Sequence, residues 1–565
     1  MTAIQEAPPQ SNSPQGEPDW ARCAGCGALH YRKKMARNLG VCPECGHHHR
    51  LTAAERIAQL TDDFAPLGLS VRATDVLGFT DAQPYPARLA KAQAATGLDD
   101  AVLAGIAWLG GHPIAIAAMD FRFMGGSLGA AVGEVITSTA EVALQQRLPL
   151  LVVTASGGAR MQEGVIALMQ MAKISQALAA LREAGLLTVS LVTDPTYGGV
   201  AASFATNCDI VLMEQGARMG FAGPRVIEQT IRQKLPADFQ TAGFLLAHGQ
   251  VDAVAHRADL RDWLTRLFAA TCPAADLPAM LDAAPAQPAK AIDPLDALAA
   301  ARDTARPTTL DYLAGAFTGF VELHGDRAFA DCPSVVAGFA RLGGRPVAVV
   351  GHQKGHHTKE LVRRNFGMPK PEGYRKALRV MRLAGRLGVP IVTIVDTPGA
   401  YPGMDAEEHG QSNAIAESIL GMFELRVPVV TVVTGEGGSG GALALAVADR
   451  VLMFQRSTYS VISPEGCSAI LWGDAKSAAD AARALRITSR ELLALGVVDD
   501  VLPESTIGSS PNPAGMIATL RAAVARAVAE LSDLDADELV QARRNRFRSF
   551  GANAISRQWA DEAVR

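Results

Sequence analysis

Residues 104–113, AGIAWLGGHP, return as AGFARLGGRP at residues 337–346. Each copy runs straight into an apolar strand-like stretch, IAIAAM at 114–119 and VAVVGH at 347–352. Further on, LPLLVVTASGG (148–158) is answered by VPIVTIVDTPG (389–399). Both strings place a β-branched run after a proline and end in glycine, the pattern of a buried strand entering a turn. A second glycine pair follows at a matched distance: 41 residues separate Gly157 from Gly198, and 41 separate Gly399 from Gly440. Fifteen separate Asp209 from Pro224 and Asp449 from Pro464, and HGQVDAV (248–254) resembles LGVVDDV (495–501). Five landmarks in one order indicate a duplicated unit. Strands alternate with helical stretches such as EGVIALMQMAKISQALAALREAG, which predicts an α/β architecture with crossover connections. Two copies with so long a period exclude a solenoid. The Ala/Pro-rich stretch DAAPAQPAKAIDP between the halves reads as a linker.

The bulk properties narrow the class. With 48% hydrophobic and 19% charged residues, the 565-residue chain has ordinary globular composition. A net charge of -4 argues against global nucleic-acid binding, though not against a local basic patch. No apolar run approaches the roughly 18 residues of a membrane span. The opening MTAIQEAPPQSNSPQGEPDW lacks an apolar core and reads as a disordered tail, not a signal peptide. A cytoplasmic location is the expectation. Eight cysteines in this length do not make a disulfide scaffold.

Four of those cysteines cluster. Cys23-x2-Cys26 and Cys42-x2-Cys45 are separated by 15 residues. Each pair, with Gly25, Gly27 or Gly46 easing the turn, presents two thiolates to one point, and two such turns close the tetrahedron that Zn2+ accepts. Four protein ligands leave no open position, so one structural zinc is expected. Between Arg22 and Arg50, six Lys/Arg (Arg22, Arg32, Lys33, Lys34, Arg37, Arg50) face one acid, Glu44. This segment either contacts phosphates, of nucleic acid or of a nucleotide-bearing substrate, or is a solvated face.

In both halves a strand enters a Gly-rich turn and then a helical stretch, as in SLVTDPTYGGVAASFA and TVVTGEGGSGGALALA. Glycine lets backbone amides approach a ligand, and amides at a helix start are unpaired and favour negative charge. Two such amides on one carbonyl oxygen make an oxyanion hole. A duplicated fold then offers two holes, suited to two partners that each develop a negative oxygen. Gly437–Gly441 and Gly125–Gly129 also fit G-x-S-x-G, the serine-hydrolase elbow. No histidine follows His409, so Ser439 lacks a partner in that order, whereas Ser127 keeps His248 and His256 downstream. The repeat sets Tyr197 against Ser439, which makes the glycines the shared element. Neither Gly-rich turn ends in the Gly-Lys-Ser/Thr of a P-loop.

Taken together these motifs resemble a known family. Cys23-x2-Cys26…Cys42-x2-Cys45, FMGGSLGAAVGE, SGGARMQEG, DPTYGGVAASFA and FAGPRVIEQT are similar to the β subunit of the bacterial acetyl-CoA carboxylase carboxyltransferase. ELHGDR, GHQKG, RRNFGMPKPEGYRKALR, DTPGAYPG, GEGGSGGALA and STYSVISPEG are similar to its α subunit. The resemblance covers roughly Arg22 to Val501. It implies a fused β–α chain with two crotonase-like domains in tandem behind a small zinc ribbon, and an active site where two such domains face each other. It implies a tail at 1–20, the ribbon at 21–50, an acyl-CoA-side domain at 51–281, a linker at 282–295, a biotin-side domain at 296–505 and a C-terminal helical segment at 506–565. Carried over by motif, Gly198 and Gly199 would hold the thioester oxygen, and Gly440 and Gly441 the biotin ureido oxygen. Gly157, Gly158, Gly399, Ala400, Gly437 and Gly438 would line the same cavity, with Arg160 as a substrate contact. No side-chain base is required. Bulky replacements at Gly199 and Gly441 are expected to abolish transfer and leave folding intact.

The partners implied are acetyl-CoA, a biotinylated carrier protein, a biotin carboxylase and a second copy of the chain, in malonyl-CoA formation for fatty acid synthesis. No Met-Lys-Met biotinylation site and no ATP-binding signature occurs, so only one half-reaction is expected from this chain. From His352 to Arg386, ten Lys/Arg face Glu360 and Glu372, either for phosphate or carrier contact or as an exposed helical face. Two alternatives remain: a carboxylase or decarboxylase for another acyl-CoA, and a zinc-ribbon nucleic-acid-binding protein.

Overall fold

The computed structural model describes residues 20–272, 291–474, 476–507 and 510–551. The expected tail lies outside these except for Trp20, as does the linker up to residue 290. Two eight-stranded sheets share one topology. In the first, Asp63–Pro66, Val102–Leu109 and His112–Met119 pair antiparallel; Leu150–Ser156, Thr188–Tyr197, Ile210–Glu214 and Ala253–Ala255 then add in parallel. In the second, Thr318–Glu322, Val335–Leu342 and Arg345–His352 repeat the antiparallel part, and Ile391–Thr397, Val429–Gly438, Arg450–Phe454 and Asp500–Leu502 the parallel part. The two AG…LGG strings are the hairpins that open each sheet, with Leu109 opposite His112 and Leu342 opposite Arg345. The parallel strands are buried on both faces, which is why LLVVTAS and IVTIVDT carry no polar alternation.

The halves join through the helix Leu260–Thr271, which lays Leu264, Leu267 and Phe268 against Val335, Ala337 and Phe339 in one continuous core. Two glycines bring the backbones together here: a Cβ on Gly325 would stand 2.6 Å from the Gly249 Cα. The long helix Pro513–Ser532 lies over the outer face of the second sheet, with Leu520, Val524 and Val528 among Val336, Val347 and Val349. Behind it, Arg543 is buried and bonds Asp449 at 2.7 Å and the carbonyls of Met422 and Leu425. The helices Pro513–Ser532 and Ala536–Ser549 are therefore part of the second half's core and not an appendage.

Candidate active site

At the start of the chain each Cys-x2-Cys pair forms the same knuckle. Gly27 N–H donates to Cys23 O and Gly46 N–H to Cys42 O, both at 2.9 Å, with φ of +77° and +71°. The thiols converge, with Cys23 Sγ 3.6 Å from Cys45 Sγ and Cys26 Sγ 3.8 Å from Cys42 Sγ. A tetrahedron with Zn–S bonds of about 2.3 Å has an edge of about 3.8 Å, so the four sulfurs fit the ion as they stand. They are a closed set that holds Zn2+ structurally. A buried carboxylate anchors this ribbon: Glu214 is hydrogen-bonded to His48 at 3.0 Å and Arg257 at 2.5 Å and forms an ion pair with Arg56 at 2.6 Å, and Arg257 also donates to Leu39 O. Burial alone would push the Glu214 carboxyl up; the His48 hydrogen bond and the two guanidiniums outweigh it and hold it at about 2.

The glycine turns sit at the carboxyl ends of equivalent strands. Ser156 Oγ accepts from Gly158 N–H at 3.0 Å, and Thr397 Oγ1 accepts from Gly399 N–H at 3.1 Å. Ser156 lies opposite Thr196 and Thr397 opposite Gly437, each after a register shift that kinks the strand. The next turns open short helices, Gly198–Ala201 and Ser439–Leu443, whose first residues both take left-handed φ, +60° and +55°. The true equivalences are therefore Gly158 with Gly399, Gly198 with Ser439, and Gly199 with Gly440. The register that set Gly157 against Gly399, Gly198 against Gly440 and Tyr197 against Ser439 is off by one. The doublets Gly157–Gly158 and Gly198–Gly199 satisfy a 41-residue spacing in either register, so spacing alone does not choose between them.

This shift changes which amides are available. Gly157 N–H donates to Gly125 O at 2.8 Å, and Gly198 N–H to Phe221 O at 3.0 Å. With Gly158 and Gly399 bonded as above, these glycines shape the turns and their amides are spent. The amides that follow, Ala159 and Ala400, have no hydrogen-bond partner among the described residues. Gly199 and Gly440 lie in the first turn of their helices, where no carbonyl stands four residues back within the helix. Each half thus offers one amide from each of two touching turns: Ala159 with Gly199, and Ala400 with Gly440. Ala159 was missed in the sequence because an alanine in SGGAR carries no chemical signal.

The remaining glycines allow close approach. A Cβ on Gly437 would stand 2.7 Å from the Tyr459 ring, and one on Gly438 would strike Pro398. One on Gly441 would strike the Ala400 amide nitrogen and come within 2.8 Å of Gly399 C. A bulky residue at Gly441 therefore disrupts the turn itself, contrary to the expectation of intact folding. At Gly440 the nearest atom to an added Cβ is Ile415 Cγ2 at 3.9 Å.

Arg160 is not placed to meet a substrate. Its side chain is fully buried, pairing with Asp100 at 2.5 Å and Glu163 at 3.3 Å and taking Tyr85 Oη at 3.2 Å. It also donates to Ser127 Oγ at 3.0 Å, which ties that serine into the structure. Arg160 braces the turn from the wall of a cleft of about 550 Å3, with its guanidinium buried, and the other cations lining that cleft are Arg88, Lys91 and Arg122. The second half has a different brace, also missed in the sequence. Lys354, from GHQKG, places Nζ 2.7 Å from Asp396 and 2.8 Å from Glu436, and Glu436 N–H donates to Asp396 at 2.9 Å. Arg302 adds a 2.7 Å bond to Glu436. Asp396 and Glu436 immediately precede Thr397 and Gly437, so one ammonium ties the two strand ends that carry the turns. Burial, with the Lys354 charge nearby, pushes His352 down to about 3 and keeps it neutral.

The cleft at Gly157–Gln162 is lined by first-half residues alone. The cleft of about 400 Å3 at Ser439–Gly440, with Leu443, Tyr459 and Leu492, is lined by second-half residues alone. The two amide sites therefore do not share a cleft within one chain.

A family model described as acetyl co-enzyme A carboxylase carboxyltransferase-like matches residues 274–551, and one described as acetyl-CoA carboxylase zinc finger domain matches residues 20–45. The chain is 58% identical over 555 residues to the acetyl-coenzyme A carboxylase carboxyl transferase subunits beta/alpha of Salinispora arenicola, covering 96% of this chain and 98% of that protein. The chain belongs to the acetyl-CoA carboxylase carboxyltransferase family. It is a biotin-dependent transferase of fused β/α type. The Clostridium tetani protein of the same description is 44% identical over 537 residues, covering 94% of this chain and 93% of that one. Among solved structures, the transcarboxylase 12S core superposes with a TM-score of 0.69 at 23% identity, covering 89% of this chain and 92% of that one. The fold is thus two crotonase-like domains in tandem behind a zinc ribbon. No helix among the described residues is long and apolar enough to cross a membrane.

Proposed function

We propose that this chain carries out the carboxyltransferase half-reaction of acetyl-CoA carboxylase, moving CO2 from carboxybiotin on a separate carrier protein to acetyl-CoA to give malonyl-CoA. A biotin carboxylase recharges the carrier, and the setting is the cytoplasm. The observation that carries the reading is the matched pair of two-amide sites, one opening on a cleft at Ala159 and the other on a cleft at Gly440, with no side-chain base at either among the described residues.

In the first half, Ala159 and Gly199 N–H take the thioester oxygen of acetyl-CoA, and Arg88, Lys91 and Arg122 face its phosphates. In the second half, Ala400 and Gly440 N–H take the ureido oxygen in an apolar cleft suited to a bicyclic ring. Gly157, Gly158, Gly198, Gly399, Gly437, Gly438 and Gly441 keep the turns in shape. Carboxybiotin supplies CO2 by N–C cleavage and leaves a basic ureido nitrogen. The amides of the second half favour that release by holding negative charge on oxygen. Those of the first half hold the enolate oxygen once the acetyl methyl has given its proton to that nitrogen, and the enolate carbon then bonds to CO2. Catalysis is positioning plus preorganised dipoles.

A homodimer completes the site. Met161 (80% exposed) lines the first cleft and Val461 (71%) the second. Such exposed apolar side chains at both sites favour burial against a second copy. Malonyl-CoA formation from biocytin-borne CO2, assayed with acetyl-, propionyl- and butyryl-CoA, tests the function. Acetyl-CoA should have the highest kcat/KM, and no carboxylation of any of the three would overturn the reading.

A further inference from the structure

Six arginines line one cleft of about 490 Å3 at the seam between the halves. Arg182 comes from the first half; Arg327, Arg375, Arg379, Arg382 and Arg386 come from the second, with Asp209, Asp326 and Glu417 as the acids in the wall. The carboxylates are shared. Asp209 meets Arg386 at 2.5 Å and Arg182 at 3.8 Å, and the fully buried Asp252 behind the wall meets both Arg379, at 2.8 Å, and Arg327. Among the described residues, the acid that Arg382 reaches is Glu424, at 3.9 Å. Arg327 Nε, Arg379 Nε and Arg386 Nη1 are buried without a hydrogen-bond acceptor. Such groups are costly to leave unpaired. Burial lowers the Arg379 pKa, Asp252 opposes the fall, and Arg327 adds to it.

Holding the halves together explains Asp209 and Asp252, and Asp326 pairs with Arg375 within the second half at 2.7 Å. Neither role explains six guanidiniums around an open volume with three acids in its wall. We infer that this seam cleft is a binding site for a phosphate-bearing anion of pyrophosphate to mononucleotide size. Guanidinium suits such an anion through paired N–H donors. The site stands apart from both amide turns. Asp209 precedes Ile210, which pairs with Val189 at the start of the strand Thr188–Tyr197, whereas Gly198 follows the end of that strand. No residue of either amide turn lines the cleft. A ligand here touches both halves at once and stabilises their junction by mass action.

The test uses the full-length protein and inorganic pyrophosphate at ionic strength held constant with KCl. Calorimetry should show saturable binding, and the unfolding midpoint should rise above that of the KCl control. Arg182→Ala with Arg382→Ala, removing the two most exposed guanidiniums, should weaken binding at least tenfold and leave the ligand-free unfolding midpoint within a few degrees. ADP and CoA then separate the sources. Competition by ADP alone marks a free nucleotide or polyphosphate as the ligand, and competition by CoA that is lost in the double variant marks the nucleotide end of CoA. Absence of saturable binding, or binding that the double variant leaves unchanged, overturns the inference.

Discussion

Gly440→Ala separates folding from catalysis. An added Cβ at this position meets nothing closer than Ile415 Cγ2 at 3.9 Å, and the backbone φ is not left-handed. Gly440 lies in the first turn of Ser439–Leu443, so alanine there should leave stability unchanged or raise it by about 0.5–1 kcal/mol. A helical Cβ points toward the helix N-terminus, here toward the volume that the ureido oxygen would occupy. Displacing or blocking one oxyanion donor costs about 10²–10³ in rate, or about 2.7–4 kcal/mol. The expected outcome is therefore an unchanged or higher unfolding midpoint with kcat for biocytin-dependent transfer down at least 100-fold. Gly199→Ala is the matched variant in the other half; its Cβ meets the mobile end of Met171, with Sδ at 3.1 Å, so it should fold and lose transfer equally. Mixed and re-equilibrated, the two inactive variants should regain up to about a quarter of wild-type activity, because a two-fold pairing creates one intact composite site in mixed dimers. Near-wild-type kcat in Gly440→Ala would refute the amide assignment, and no recovery on mixing would refute the composite site.

Lys354→Met removes the ammonium between Asp396 and Glu436, and loss of one partner from a buried ion pair costs about 3–5 kcal/mol. Because Arg302 remains on Glu436, the lower end is expected, with kcat for biocytin down at least tenfold, KM for acetyl-CoA unchanged, and partial rescue in Lys354→Arg; steady-state kinetics with each substrate varied decides it. Metal analysis should find one zinc per chain. After chelation, trypsin should cut first among Arg32, Lys33, Lys34 and Arg37 while both sheets persist by circular dichroism; cleavage spread evenly over the chain would contradict a ribbon that folds as its own metal-dependent unit. Glu214 is held at about 2 against an ordinary 4.5, so its contribution, about 3 kcal/mol, is complete above pH 4.5 and is lost as pH falls toward 2. Glu214→Gln should flatten the acid limb of stability measured by denaturant unfolding between pH 5 and 3.

The fold was legible because duplication prints itself in strings. AGIAWLGG and AGFARLGG mark the same hairpin, and two β-branched runs after proline mark the same buried strand. The zinc site was legible because its ligands are chemically rare and local. The residues that aim the amides were not. Lys354, Asp396 and Glu436 are 42 and 40 positions apart in the chain, and only the parallel pairing of three neighbouring strands brings them together. Arg160 was misassigned for a related reason. A cation beside a glycine turn reads as a phosphate ligand, but Asp100 and Tyr85, far upstream, claim its guanidinium first.

The placement of the two clefts decides what a single chain can do. The seam between the halves is apolar along the helix Leu260–Thr271 and the antiparallel strands, and opens elsewhere into the arginine-lined cleft. The amide turns lie at the carboxyl ends of the parallel strands, in clefts that take their walls from one half each. The two clefts share no lining residue. A second copy related by a two-fold axis would set the first-half cleft of each chain against the second-half cleft of the other, and a single interface would close both sites. On that geometry the fusion of the halves fixes the seam and leaves the catalytic contact to association. Dilution below the dimer dissociation constant should then abolish transfer while leaving each chain folded, and transfer that persists in a verified monomer would show that one chain's two clefts suffice.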